Sequence, residues 1–173
     1  VQGSLNRVIE DALILYRTAH PNTRFQFDAD ATLPDFKFDP GQLHRVLQNL
    51  LDNAVAALND NSPGRVAIRT QYDNLLKLVR VSVSDNGVGI PEEHKAQIFE
   101  PYFSTKENGT GLGLSIVKRI VEDHNGFIRA FSNEPQGTKI IVELPVTDSD
   151  VAFTLVRPFA NEGDAINGGT SLG

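Results

Sequence analysis

Asn49 and Asn53 stand one helical turn apart in a stretch whose apolar residues recur at helical spacing, so both amides project beside the stripe formed near Val46 and Leu50. An asparagine carbonyl at a pocket edge can bind Mg²⁺, which prefers hard oxygen ligands and keeps waters and phosphate oxygens in its shell. The plainer alternative is a pair of solvated surface amides. A second candidate is Asp85-Asn86-Gly87-Val88-Gly89-Ile90. A carboxylate there can accept a hydrogen bond from the exocyclic amine of adenine, whereas guanine would oppose it with an oxygen. The two glycines allow close ligand approach, although an Asx turn capped by glycine uses the same residues.

A third candidate, Gly109-Thr110-Gly111-Leu112-Gly113-Leu114, precedes a predicted helix, where backbone N–H groups can hold phosphate oxygens. It lacks the lysine spacing of a P-loop and does not follow a strand in a βαβ unit. Upstream, the run from Phe99 to Lys106 places aromatic residues before a basic segment, as a lid would. Phe99, Tyr102 and Phe103 suit packing better than base stacking, and a lone Lys106 suits a solvated surface.

These residues need elements to position them. Leu5, Val8, Ile9, Ala12, Leu13 and Tyr16 behind Ser4 predict an amphipathic opening helix that ends before Pro21. Phe25 to Asp28 and Phe36 to Phe38 read as two strands that could pair as a hairpin. Asp39, Pro40 and Gln42 predict the start of a long helix, and Leu43, Val46, Leu47, Leu50, Leu51, Ala54, Val55 and Leu58 its buried face. Val66 to Tyr72 and Leu76 to Ser84 predict a hairpin that delivers Asp85. A short helix from Pro91 to about Phe99, another near Leu114 to His124 stopped by Gly126, and strands Phe127 to Ser132 and Thr138 to Leu144 complete the pattern. The domain is expected to span 1–146, with 147–173 an irregular, mobile tail.

The chain has 173 residues, of which 40% are hydrophobic and 22% charged, a size and mixture suited to one globular domain. A net charge of −6 with scattered basic residues disfavours nucleic acid and a polybasic membrane surface. The absence of cysteine excludes disulfides and thiolate metal sites. No apolar run approaches a membrane span and no signal pattern opens the chain, so it reads as soluble. The chain lacks methionine and begins at Val1, which suggests an excised piece of a larger protein.

Taken in order, the Asn49-Leu50-Leu51-Asp52-Asn53-Ala54, Asp85 to Ile90, Phe99 to Lys106 and Gly109 to Leu114 segments resemble the four boxes of histidine-kinase catalytic domains. The likeness runs from about Leu5 to Val146 and includes Gly137-Thr138 and the Leu144-Pro145 ending. It implies a two-layer α/β sandwich, a mixed sheet backed by helices, with ATP and Mg²⁺ held between the long helix and a flexible lid. By position, Asn53 would ligand Mg²⁺, and Asn49, the catalytic candidate, would support the phosphate side. Asp85 would bind adenine, with Gly87 and Gly89 shaping its pocket and Thr138 helping to close it. Gly109, Gly111 and Gly113 would cover the phosphates, with Lys106 a further phosphate contact.

The resemblance also implies partners. The γ-phosphate would pass to a histidine on a dimerisation hairpin and then to an aspartate of a response regulator receiver domain. The parent would be a homodimer, this piece a monomer, and the domain cytoplasmic even if its parent were anchored in the inner membrane. His20, His44, His94 and His124 lack the acidic residue and proline that follow an acceptor histidine, so they read as surface or core-edge groups.

Gyrase, mismatch-repair and chaperone ATPases of the wider superfamily usually carry a glutamate where this chain has Asn49. Loss of that general base favours phosphoryl transfer over hydrolysis. Asp52, on another helix face, is a poor substitute. Asn53 to Ala57, Ser104-Thr105-Lys106 and Glu122 to Gly126 resemble nitrogen-regulation sensor kinases. Many other branches carry a basic residue where Ala57 stands, leaving Lys106 or nothing for that phosphate contact. The alternatives are a gyrase-type ATPase, a nucleotide-binding regulatory module without catalysis and an anti-sigma-type serine kinase.

Overall fold

A computed structural model of the chain describes residues 2–59, 62–103 and 112–146. A two-residue strand β1 (Gln2–Gly3) leads into α1 (Leu5–Ala19), where the Ser4 hydroxyl accepts the Arg7 N–H as N-cap. The helix buries Leu5, Ile9, Ala12 and Leu13, the i, i+4, i+7, i+8 face that the sequence spells out. Strands β2 (Thr23–Asp28) and β3 (Phe36–Lys37) follow, then α2 (Pro40–Ala56). Proline opens α2, and the Asp39 carboxylate accepts the Gln42 N–H. His124 completes this cap from far along the chain, its Nε2 accepting the Asp39 N–H at 3.2 Å and its Nδ1 lying 2.9 Å from the Ile120 carbonyl oxygen.

A hairpin of β4 (Gly64–Asp73) and β5 (Leu78–Asp85) leads to a 3-10 turn at Glu92–His94, then α3 (Gly113–Asp123) and a second hairpin, β6 (Phe127–Ser132) and β7 (Thr138–Pro145). The main sheet runs β2-β4-β5-β7-β6, with β2 and β4 parallel and the other pairs antiparallel. Strand alternation places Val66 and Ile68, Val79, Val81 and Val83, and Ile140, Val142 and Leu144 against the helices. From α2, Leu43, Val46, Leu47, Leu50, Leu51 and Ala54 join them. Each large side chain buried there stabilises the fold by about 2 kcal/mol. Truncating fully buried Leu51 to alanine would cost about 3 kcal/mol. The expected two-layer α/β sandwich is therefore present. Among the described residues no helix is long and apolar enough to cross a membrane.

Three local expectations are corrected. Phe25–Asp28 and Phe36–Phe38 do not pair: β2 joins β4 in parallel from Thr23↔Gly64 to Asp28↔Arg69, and β3 pairs with β1. The Asp30 side chain explains the divergence. Its Oδ1 accepts from Thr32 N and Oγ1, its Oδ2 accepts the Tyr72 N–H at 2.8 Å, and its own N–H donates to Thr70 Oγ1. The chain leaving β2 is thus tied onto β4 rather than folded back. Hydrogen bonds from Thr32, and then from the Tyr72 N–H, hold the Asp30 carboxyl below its ordinary pKa.

The helix expected from Pro91 to Phe99 shrinks to the 3-10 turn, because Ile98 is the only residue of that run to be buried and no apolar stripe docks a longer helix. At the end of α3, the left-handed residue is Asn125, at φ 61°, rather than Gly126.

Candidate functional site

The α2 helix is the spine of the candidate site. At its C-terminal end lies the loop that follows β5. Asp85 ends that strand with only 4% of its surface exposed, and its Oδ1 accepts two backbone N–H groups, from Gly87 at 2.9 Å and Thr138 at 3.3 Å. The loop is pinned to the end of α2 by the Val88 N–H, which donates to the Ala57 carbonyl at 2.9 Å. A Cβ on Gly87 would lie 2.1 Å from that same oxygen, so the approach requires glycine. Ala57, the position at which many other branches carry a basic residue, therefore walls the loop.

Asn86 faces the α2–β4 connection. Its Oδ1 accepts the Arg65 N–H at 2.8 Å and its Nδ2 donates to the Pro63 carbonyl at 2.8 Å. The β6–β7 turn holds the other flank: Asn133 Nδ2 donates to the Asp85 carbonyl at 2.8 Å and Gln136 Nε2 to the Gly87 carbonyl at 2.9 Å. Gly137, at φ 110°, packs so closely that a Cβ would fall 1.9 Å from the Asp85 carbonyl oxygen. Gly89 lies on the same loop, against Gly137. The structure thus brings together Asp85, Gly87, Gly89 and Thr138. Asn133 and Gln136 escaped sequence reasoning, which saw only a turn there; their closeness to Gly137-Thr138 is the one signal that could have found them.

Further up α2, Asn53 and Asn49 are half-buried. Ala57 N–H donates to the Asn53 carbonyl, so the metal candidate stands one turn from the Asp85 loop. Asn49 reaches the other way: its Oδ1 lies 3.9 Å from where a Cβ on Gly113 would sit, at the first residue of α3. The N-cap residue Leu112 gives that first turn no side-chain cap hydrogen bond. Asn49 Nδ2 is buried with no hydrogen-bond partner among the described residues, a costly state for a donor in a protein interior. An orphaned amide donor beside a helix start suits a phosphate, and an amide oxygen one turn along suits a hard divalent cation. The residues present therefore fit a Mg-nucleotide. Lys106, Gly109 and Gly111 lie outside the described residues.

Asp52 is engaged elsewhere. The Tyr16 hydroxyl of α1 lies 2.5 Å from its Oδ1 and 3.0 Å from the Gln48 carbonyl oxygen. Burial, and then the Asp52 carboxylate, push the Tyr16 hydroxyl pKa up. Ahead of the glycine-rich run, Lys95 Nζ donates to Ser132 Oγ at 2.7 Å, and the His94 ring meets Phe103 edge-on with centroids 5.3 Å apart. Tyr102 is exposed, so it is not the packing residue expected there.

Residues 38–148 match the family described as histidine kinase-, DNA gyrase B-, and HSP90-like ATPase. The chain is 38% identical over 148 residues to the signal transduction histidine-protein kinase AtoS of Escherichia coli K12, covering 84% of this chain and 24% of that protein. It is 36% identical over 155 residues to the sensory histidine kinase/phosphatase NtrB of Klebsiella oxytoca, covering 84% of this chain and 44% of that protein. It therefore spans about a quarter to under half the length of these relatives. Among solved structures, the catalytic domain of histidine kinase ThkA matches with a TM-score of 0.76 and 37% identity, over 85% of this chain and 95% of that one. ThkA in complex with the response regulator protein TrrA matches with a TM-score of 0.72 and 33% identity, over 85% of this chain and 42% of that one.

Proposed function

Because the chain belongs to the family of histidine kinase-, DNA gyrase B-, and HSP90-like ATPases, we propose that it is the ATP-binding, phosphoryl-donating domain of a sensor histidine kinase. The observation that carries this reading is a buried, doubly held carboxylate beside the C-terminal end of the helix that carries Asn53 and Asn49, the latter's Nδ2 buried with no hydrogen-bond partner among the described residues.

Asp85 accepts the adenine amine and is kept in place by the Gly87 and Thr138 N–H groups, so the acceptor is aligned before the base arrives. Asn53 offers its amide oxygen to Mg²⁺, whose charge, when bound, offsets that of the phosphates. Asn49 donates to a phosphate oxygen, and the start of α3 adds oriented N–H groups. By the family resemblance, Gly109 and Gly111 would cover the phosphates and Lys106 would be a further phosphate contact. An amide at Asn49 cannot take a proton from water, and Asp52 is tied to Tyr16, so the site holds ATP for an incoming nucleophile and lacks a base for hydrolysis. That nucleophile is a histidine of the parent's dimerisation hairpin, and the phosphoryl group moves on to a response regulator aspartate. The ThkA structure with its response regulator supports the last step by likeness.

Calorimetric titration of the chain with ADP, ATP and GTP, with and without Mg²⁺, tests the binding half, and adenine selectivity is the expected result. Incubating the full-length parent with γ-labelled ATP tests the transfer half. Binding without any label on histidine would overturn the kinase reading, and steady hydrolysis by this chain alone would favour the gyrase-type alternative.

A further inference from the structure

Resting on the reading of Asp85 as the adenine acceptor, we propose that Asn133 and Gln136 are positioning residues for nucleobase recognition, acting through the Asp85 loop. The backbone ladder between β5 and β7 ends at Ser84↔Lys139, one residue short of Asp85. Beyond that point two side-chain amides take over. Asn133 Nδ2 holds the Asp85 carbonyl at 2.8 Å and Gln136 Nε2 holds the Gly87 carbonyl at 2.9 Å, so the amides grip the loop on either side of Asn86.

The carboxylate itself spans the same gap. Its Oδ1 takes one N–H from the loop, at Gly87, and one from β7, at Thr138. Its orientation therefore depends on the spacing between loop and hairpin, which is what the two amides hold. A shift of a few tenths of an ångström misaligns an acceptor that must meet one exocyclic amine. The opposite flank is fixed independently by the Val88 N–H to Ala57 and by Asn86 to Pro63 and Arg65, so slack on the hairpin side would tilt the loop rather than free it. The turn is itself braced, with Asn133 N–H donating to the Gly137 carbonyl at 3.0 Å and Lys95 Nζ to Ser132 Oγ. Gln136 is exposed, so exchanging it leaves the core untouched.

The test uses the whole chain with ADP and GDP as probes. Gln136→Glu and Asn133→Asp keep the shape of each side chain but replace the donor with a carboxylate that repels the carbonyl. Each should weaken ADP binding by about five- to tenfold, the worth of one hydrogen bond, and narrow the preference for ADP over GDP. The ligand-free melting temperature of Gln136→Glu should stay within about 3 °C of wild type. The amide resonances of Gly87 and Thr138 should move before any nucleotide is added, and Gln136→Arg, which retains N–H donors, should recover most of the affinity. Wild-type ADP affinity in both carboxylate variants, or unmoved Gly87 and Thr138 resonances, would overturn the proposal. If Asn133→Asp does not fold, Gln136→Glu decides alone. Failure of the underlying reading looks different, because Asp85→Ala would then bind ADP as well as wild type does.

Discussion

Around the C-terminal end of α2, Asp85, Asn86, Gly87 and Val88 each hold protein partners, whereas two turns earlier the buried Nδ2 of Asn49 has none among the described residues. The Asp85 end is built in advance, so on the proposed reading a nucleobase binding there orders little and spends little of its interaction on rearrangement. Toward Asn49, the buried Nδ2 is left without a partner among the described residues, a cost that a charged ligand can offset. On the proposed reading, affinity and base selectivity belong to one end, and sensitivity to phosphate and metal to the other. Substitutions at the two ends should therefore have separable consequences.

The largest effect is expected from Gly137→Ala. A methyl group 1.9 Å from a backbone oxygen, on a residue at φ 110°, cannot be absorbed by a side-chain shift. We expect a loss of about 3 kcal/mol or more in urea unfolding, together with loss of ADP binding. Next comes Asp85→Asn, which keeps an oxygen for Gly87 and Thr138 but sets an amide against the adenine amine. ADP and ATP should both bind about 30-fold more weakly in calorimetry, because the hydrogen bond lost is one to a charged group. An equal effect on metal-free and metal-loaded nucleotide would confirm that the base end acts alone. Asn53→Ala should do the reverse, leaving ADP affinity without metal unchanged and reducing the gain from Mg²⁺ by about tenfold. Equal losses with and without Mg²⁺ in that variant would break the division between the ends.

How much of this was legible in the sequence follows from how local each signal is. The α2 helix announces itself because a carboxylate cap, a proline and a buried stripe all fall within its own residues. Asn49, Asn53 and Asp85 were legible as box residues, and their common helix and loop followed from spacing. Strand partnership was not, because Phe25 and Phe27 look alike whether β2 pairs with β3 or with β4; the choice rests on Asp30 reaching Tyr72, 42 residues on. His124 closing the α2 cap from 85 residues away is of the same kind. So are Asn133 and Gln136, whose partners are backbone carbonyls 48 and 49 residues distant and leave no imprint on the local pattern.

The smallest expected effect lies away from both ends and separates stability from site geometry. Glu143, only 1% exposed, stands on β7, the strand that supplies the Thr138 N–H, and pairs through Oε1 with Arg80 Nε at 3.1 Å while its Oε2 has no hydrogen-bond partner among the described residues. Burial pushes its pKa up, against the opposing pull of Arg80. The native state then keeps a proton that the unfolded chain has lost, so this group's contribution is fully present below the ordinary value of 4.5 and is lost as pH rises through the raised value. Asp30 works in the opposite sense, since its lowered pKa gives stability above 3.8 that is lost as pH falls through the lowered value. Subtracting the profile of Glu143→Gln from that of wild type cancels Asp30 and every other unaltered group. The difference should favour wild type only toward acid, with the variant equal or more stable at pH 7 by at most about 1 kcal/mol. Its ADP affinity should match wild type across that range. A change in affinity that tracks the change in stability would mean that the base end answers to the stability of the whole sheet, and its local hydrogen bonds would lose their explanatory role.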